Sequence, residues 1–212
     1  MIHPESTSMP DLRSVLALPA MYRLFGRIVG GNARATFVRD HLRPRAGERV
    51  LDLGCGPGDL LTHLPGCDYV GIDLDPKYIA AAKARFADRG SFRCEPAESV
   101  AELEPGSFDL VVASGLLHHL TDEQAVATMT VARRALRPGG RFVSLDGCFV
   151  PDQGPFARWM LRRDRGQFVR DLPGYRRLAE SVFPSVTPAV RHDLLRVPYT
   201  LLVLECVKGA GE

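Results

Sequence analysis

Apolar residues in this chain gather into short continuous runs, separated by segments in which they recur every three or four positions. The runs RVLDLGC (49–55), DYVGIDLD (68–75), SFRCEP (91–96), FDLVVASGLL (108–117) and RFVSLDG (141–147) predict strands. Between them, DLLTHL suits a short helix. PKYIAAAKARFADR places Ile79, Ala82 and Phe86 on one helical face, with Asp75 as N-cap and Pro76 at the first helical position, where a missing N–H costs nothing. Thr121 and Gln124 form a capping-box signature, and Ala125, Met129, Ala132 and Leu136 follow at helical spacing until Arg137-Pro138-Gly139-Gly140. Pro173-Gly174 opens another amphipathic helix, carrying Tyr175, Leu178, Ala179, Val182 and Phe183, which Pro184 stops. AVRHDLL and YTLLVLECV read as two closing strands.

Strands alternating with helices imply an α/β fold with a mainly parallel sheet covered on both faces. The last two strands are joined too closely for a crossover, so they are expected to form an antiparallel hairpin.

With 212 residues, 45% hydrophobic and 25% charged, the chain fits one globular domain able to bury a full core. Its formal net charge of +2 argues against gripping nucleic acid or an anionic membrane as its main business. The five cysteines are scattered and never spaced as CxxC, which fits reduced thiols rather than a disulfide framework or a zinc site, and no metal is expected. The N-terminal segment lacks a basic leader, and Pro19 and Arg23 break its apolar run. No run approaches the ~20 apolar residues of a membrane span. A soluble, cytoplasmic protein with no membrane partner is the expectation.

The most informative stretch is VLDLGCGPGDL (50–60). Glycines at 54, 56 and 58 allow a tight turn and close approach to a ligand. A strand precedes the turn, a helix follows it, and Asp73 ends the next strand, placed to accept hydrogen bonds from ribose hydroxyls. The pattern departs from the dinucleotide fingerprint, and Asp52 and Asp59 would repel a pyrophosphate. An acidic surround suits a ligand with ribose and positive charge but no phosphate. S-adenosylmethionine (SAM), with its sulfonium and ammonium, matches that description better than NAD.

VLDLGCGPG, GIDLD, FDLVVASGLLHHL and ALRPGGRFVSLD, in that order, resemble the successive motifs of class I SAM-dependent methyltransferases. The resemblance runs from about residue 45 to the C-terminus and is weaker over 147–172. It implies a Rossmann-like, doubly wound, seven-stranded sheet of order 3-2-1-4-5-7-6 with strand 7 antiparallel. It divides the chain into an N-terminal helical cap or lid over 1–45 and a SAM-binding core over 46–212, with a variable basic insertion at 147–172. It also implies that Gly54, Cys55 and Gly56, with Gly58 in the same turn, line the methionine half of SAM. Asp52 would help hold its ammonium, directly or through water, Asp73 would bind the ribose and Leu74 would pack on the adenine. Relatives often place an acid after strand three. Here CEPAES leaves Glu98, Glu95 or the backbone near Ala97 for the adenine.

Methyl transfer is an in-line displacement in which positioning does most of the work, so a general base is optional. Ser114, His118 and His119 follow strand four, where open α/β sheets bind ligands. By the resemblance the second histidine points inward, as base, substrate donor or cofactor-pocket wall, and His118 lies on the surface. Asp146 ends strand five, either to fix a substrate group or to cap a turn. Tyr22 is a lid candidate or a packing residue, and His192 reads as structural. FARWMLRRDRGQFVR (156–170) reads as an amphipathic helix with a solvated basic face, or as an anion site. With no NPPY-like run and no Pro-Cys pair, a small-molecule acceptor leads and nucleic acid is not expected. A tRNA or protein methyltransferase using 156–170, and a catalytically silent SAM-binding protein, are the alternatives. The product would be S-adenosylhomocysteine. The oligomeric state stays open.

Overall fold

A computed structural model describes residues 32–86, 88–97, 99, 105–164 and 166–211. Tyr22, Glu98 and most of the cap expected over 1–45 lie outside the described residues.

Among the described residues eight strands form one sheet: β1 (Arg49–Leu53), β2 (Asp68–Asp73), β3 (Ser91–Cys94), β4 (Phe108–Ser114), β5 (Leu136–Phe149), β6 (Arg170–Asp171), β7 (Ser185–Arg191) and β8 (Leu201–Val207). Their order is β3-β2-β1-β4-β5-β8-β7, with β6 pairing β5 off this path. β1 to β5 run parallel, while β8 is antiparallel to both β5 and β7. This is the expected topology, plus the two-residue β6, which makes the observed count eight rather than seven.

Helices cover both faces because strand residues alternate between them. Leu51, Leu53, Val111 and Ala113 pack with α3 (Asp122–Ala135) and α5 (Leu172–Glu180) through Ala125, Met129, Ala132, Tyr175 and Ala179. Val50, Leu110, Val112 and Val143 pack on the other face with Phe37 of α1 (Ala33–Phe37), Leu42 of the following π-helical turn, and Ile79, Ala82 and Phe86 of α2 (Pro76–Phe86). The capping box at Thr121 and Gln124 is present, and Asp75 accepts from the Lys77 N–H at 2.8 Å. The insertion contributes α4 (Pro155–Arg162), which buries Ala157 and Leu161.

Two boundaries differ from the sequence reading. β5 begins at Leu136, because Arg137–Gly140 does not break the chain but forms an irregularity within a 14-residue strand, with Gly139 at φ 75°. The first closing strand is Ser185–Arg191, not 189–195, since pairing with β8 sets its register from Ser185↔Val207 to Arg191↔Leu201. The parallel strands bring the 54–58 turn, Asp73, Ser114 and Asp146 together at their C-terminal ends, where the order reverses between β1 and β4.

Candidate functional site

The turn after β1 is pinned to β2 by its own backbone. The Gly54 and Cys55 N–H groups both donate to the Ile72 carbonyl, at 2.8 and 3.0 Å. Gly54 and Gly56 adopt φ values of 70° and 54°, which side chains rarely take. A Cβ on Gly56 would meet nothing within 4 Å, so bare backbone faces open space there. The Gly56 N–H donates to Asp73 Oδ2 at 2.8 Å, and the Asp75 N–H donates to Asp73 Oδ1 at 2.9 Å. Each carboxylate oxygen keeps a further lone pair for an outside donor. Beside this fixed acceptor, Leu74 is 71% exposed, an apolar side chain at the rim of the turn. A bare glycine edge, a clamped carboxylate and an apolar platform fit an adenosyl group.

Two further residues expected to face the ligand, one in the turn and one at the end of β1, face elsewhere. Gly58 is buried, and a Cβ there would lie 3.0 Å from Phe92 and 3.2 Å from Phe86. Its missing side chain therefore serves packing, not ligand approach as the sequence reading had it. Asp52 is 3% exposed and takes the Tyr69 hydroxyl at 2.6 Å, so it lies beneath the turn rather than in it. Burial pushes its carboxyl up to about 7, assisted by the nearby Asp73 charge and opposed by the Tyr69 hydrogen bond. Burial likewise holds the Cys55 thiol far above its ordinary value, leaving only its backbone to line the turn. Gly71 was not singled out in the sequence. A Cβ there would sit 2.8 Å from Cys55 Sγ, so its lack of side chain makes room for that thiol.

Beyond β4, the two histidines are reversed from expectation. Gly115, at φ 72°, leads into a 3₁₀ turn over Leu117–His119. Such a turn spaces successive side chains about 120° apart. His118 turns inward at 8% exposure, and His119 faces outward. Asp146, only 2% exposed, accepts from the His118 ring at Nδ1 (2.8 Å) and from the His118 N–H (3.2 Å). It neither caps the following turn nor faces solvent. Burial disfavours the charged His118 ring, but Asp146 and Asp164 outweigh it, and its pKa is raised. Ser114 is exposed at the end of β4, Ala97 packs against the core, and Glu95 accepts from the Ser99 hydroxyl.

The basic insertion is less available than its sequence implies. Arg170 pairs with Asp122 and donates to the carbonyls of Leu117, Leu120 and Phe168. Arg158 donates to the Val150 carbonyl. The sequence carried no signal for these internal bonds. Phe156 and Tyr199 wall a cleft of about 280 Å³ between residues 152–157 and 198–200, with His192 and Thr200 among its polar groups. No helix among the described residues is long and apolar enough to cross a membrane.

Comparisons with known proteins agree with this geometry. The chain is 31% identical over 113 residues to the ubiquinone biosynthesis O-methyltransferase of Idiomarina loihiensis, covering 51% of this chain and 46% of that one. It is 37% identical over 101 residues to the enzyme of the same name from Dechloromonas aromatica, covering 45% and 43%. An uncharacterized methyltransferase from Synechocystis is 33% identical over 138 residues, covering 60% and 63%. The match thus spans less than half the length of those ubiquinone-biosynthesis relatives. Among solved structures, a SAM-dependent methyltransferase from Methanosarcina mazei superposes with a TM-score of 0.64 at 17% identity, covering 78% of this chain and 94% of that one. A geranyl diphosphate methyltransferase gives 0.65 at 19%, covering 84% and 78%. These two likenesses concern the fold. Residues 50–140 match the family described as a methyltransferase domain, and the motif order, the sheet topology and the glycine turn agree with that likeness, which implies S-adenosylmethionine as cofactor.

Proposed function

We propose that this chain moves a methyl group from S-adenosylmethionine to a small-molecule acceptor. The observation that carries the reading is the Asp73 carboxylate, oriented by the Gly56 and Asp75 N–H groups beside exposed Leu74. When bound, S-adenosylmethionine supplies a methyl group already activated on a sulfonium. Asp73 accepts hydrogen bonds from the ribose hydroxyls, Leu74 packs on the adenine, and the backbone of Gly54–Gly56 lines the methionine half. Asp52 acts from beneath, holding Tyr69 under the turn. At the acceptor end, His119 takes the proton that an acceptor hydroxyl must lose. The names of the curated relatives favour oxygen among the possible acceptor atoms. β8 lies two strands from β4, about 10 Å along the sheet, so the aromatic cleft near its start is within reach for the body of a small acceptor. Arg158 and Arg170 are spent on internal carbonyls, which favours a small molecule over a nucleic-acid backbone.

Calorimetry tests the core of this reading. S-adenosylmethionine and S-adenosylhomocysteine are expected to bind, and NAD is not. NAD binding at micromolar levels with no response to S-adenosylmethionine would overturn it. Asp73→Ala is expected to weaken cofactor binding at least tenfold, since each hydrogen bond to a charged acceptor contributes about 1.5–3 kcal/mol. An unchanged dissociation constant in a folded variant moves the ribose contact elsewhere.

A further inference from the structure

His118 touches two carboxylates from two parts of the chain. Nδ1 lies 2.8 Å from Asp146 Oδ1 on β5, and Nε2 lies 3.5 Å from Asp164 Oδ1, just beyond α4. A neutral imidazole carries one N–H and can donate to only one of them. The imidazolium donates to Asp146 and forms an ion pair with Asp164 at the same time. Asp146 depends on this ring, because its Oδ2 is buried with no hydrogen-bond partner among the described residues.

Asp164 in turn organises the segment that follows it. It accepts from the Gly166 N–H at 2.8 Å and from the Tyr199 hydroxyl. The Phe168 N–H donates to the His118 carbonyl at 2.9 Å. Gly166 packs against the imidazole, and a Cβ there would fall 2.0 Å from His118 Cδ2, which no side chain can occupy. The other groups facing the ring are His119, with ring centroids 4.2 Å apart, and Arg170 of β6, whose guanidinium is already engaged by Asp122. Tyr175 of α5 donates its hydroxyl to the Gly147 carbonyl and reaches only the Asp146 neighbourhood.

We infer that His118 is a positioning residue for the acceptor side of the site: as an imidazolium it clamps Asp164, and with it Gly166 and Phe168, across the ends of β4 and β5, and as a neutral ring it lets them go. The acceptor role of this wall rests on the function proposed above; the clamp itself does not. The pKa of His118 is raised in the folded protein. The clamp is therefore fully made below 6.5, the ordinary histidine value, and is lost as pH climbs through the elevated one.

Trp159, the chain's single tryptophan, reports on the segment, since the Arg163 guanidinium sits 4.5 Å from its ring centre. Its emission can be followed in the intact chain from about pH 5.5 to about 9, together with hydrogen exchange at the Phe168 amide corrected for its intrinsic pH dependence. One common step above pH 6.5 is expected in both signals. Asp164→Asn, which keeps the shape but removes one carboxylate, should move that step down by at least about half a pH unit. His118→Gln should abolish it. A wild-type trace without a step, or an Asp164→Asn step left in place, would overturn the clamp even if His118→Gln fails to fold.

S-adenosylhomocysteine titrated on both sides of the step separates the two readings. Its affinity should change by less than about threefold, because the segment covers β4 and β5 rather than the turn after β1. A larger change would overturn the acceptor-side placement. A step without any S-adenosylhomocysteine binding would support the clamp and remove the cofactor reading instead.

Discussion

His119→Ala is expected to lower kcat by about 10²–10⁴ while leaving the affinity for S-adenosylmethionine nearly intact, the signature of a lost general base. The expectation follows from how the two histidines divide the space after β4. Both ring nitrogens of His118 face carboxylates, and the backbone at Gly166 covers its edge, so that ring cannot collect a proton from an acceptor. His119 stands next to it, exposed at the sheet edge where the methyl group would be delivered. Wild-type kcat should then rise with pH through the range where histidines titrate, roughly 5 to 8, and the alanine variant should lose that rise. Weaker cofactor binding with the pH rise retained would make His119 a wall of the cofactor pocket. Full activity with unaltered binding would remove it from the site.

Asp52→Asn is expected to stabilise the protein, and to do so only above acidic pH. An unfolded aspartate ionises near 3.8, whereas burial carries Asp52 up to about 7 in the folded chain. Between those values the folded state holds a proton that the unfolded state has released, so stability falls as pH rises through this window. The difference withdraws on the order of 4 kcal/mol by neutral pH and nothing below both values. Asparagine keeps an oxygen for the Tyr69 hydroxyl and has no charge to desolvate. Thermal melts should therefore coincide near pH 3.5 and separate progressively toward pH 8, with the variant melting higher. Equal melting temperatures across the range, or a destabilised variant at pH 8, would show that Asp52 is not held neutral by burial. The same titration bears on why an acid stands there: its charge is costly in the empty fold, and a cationic ligand above the turn would offset that cost.

Much of the architecture was legible because local signals and burial agree. The mainly apolar runs at 108–117 and 49–55 contain the central strands Phe108–Ser114 and Arg49–Leu53, and the capping box at Thr121 started its helix where expected. The place of Asp73 was legible because sequence order alone puts it at the end of the strand after a glycine turn. The reading failed where function depends on direction. Gly58 and Gly56 look alike in sequence, yet one points at Phe86 and Phe92 and the other at open space. His118 and His119 differ by one step around a 3₁₀ turn, and it is His118 that meets the buried Asp146. The insertion's Arg170 reads as part of a solvated basic face or an anion site because its partners include carbonyls 50 and 53 residues away in the chain, those of Leu120 and Leu117. No periodicity encodes such pairs.

The outermost strand β7 carries a proline, which bears on how this sheet meets other strands. Pro188 sits opposite Leu204 in the outermost strand, and it has no N–H to offer a newcomer. At the far side the sheet ends in β3, only four residues long. A sheet edge recruits foreign strands when it presents a long, unbroken row of donors and acceptors. Here one border is interrupted and the other is short, so the sheet is built to end with itself rather than to continue into a neighbouring chain.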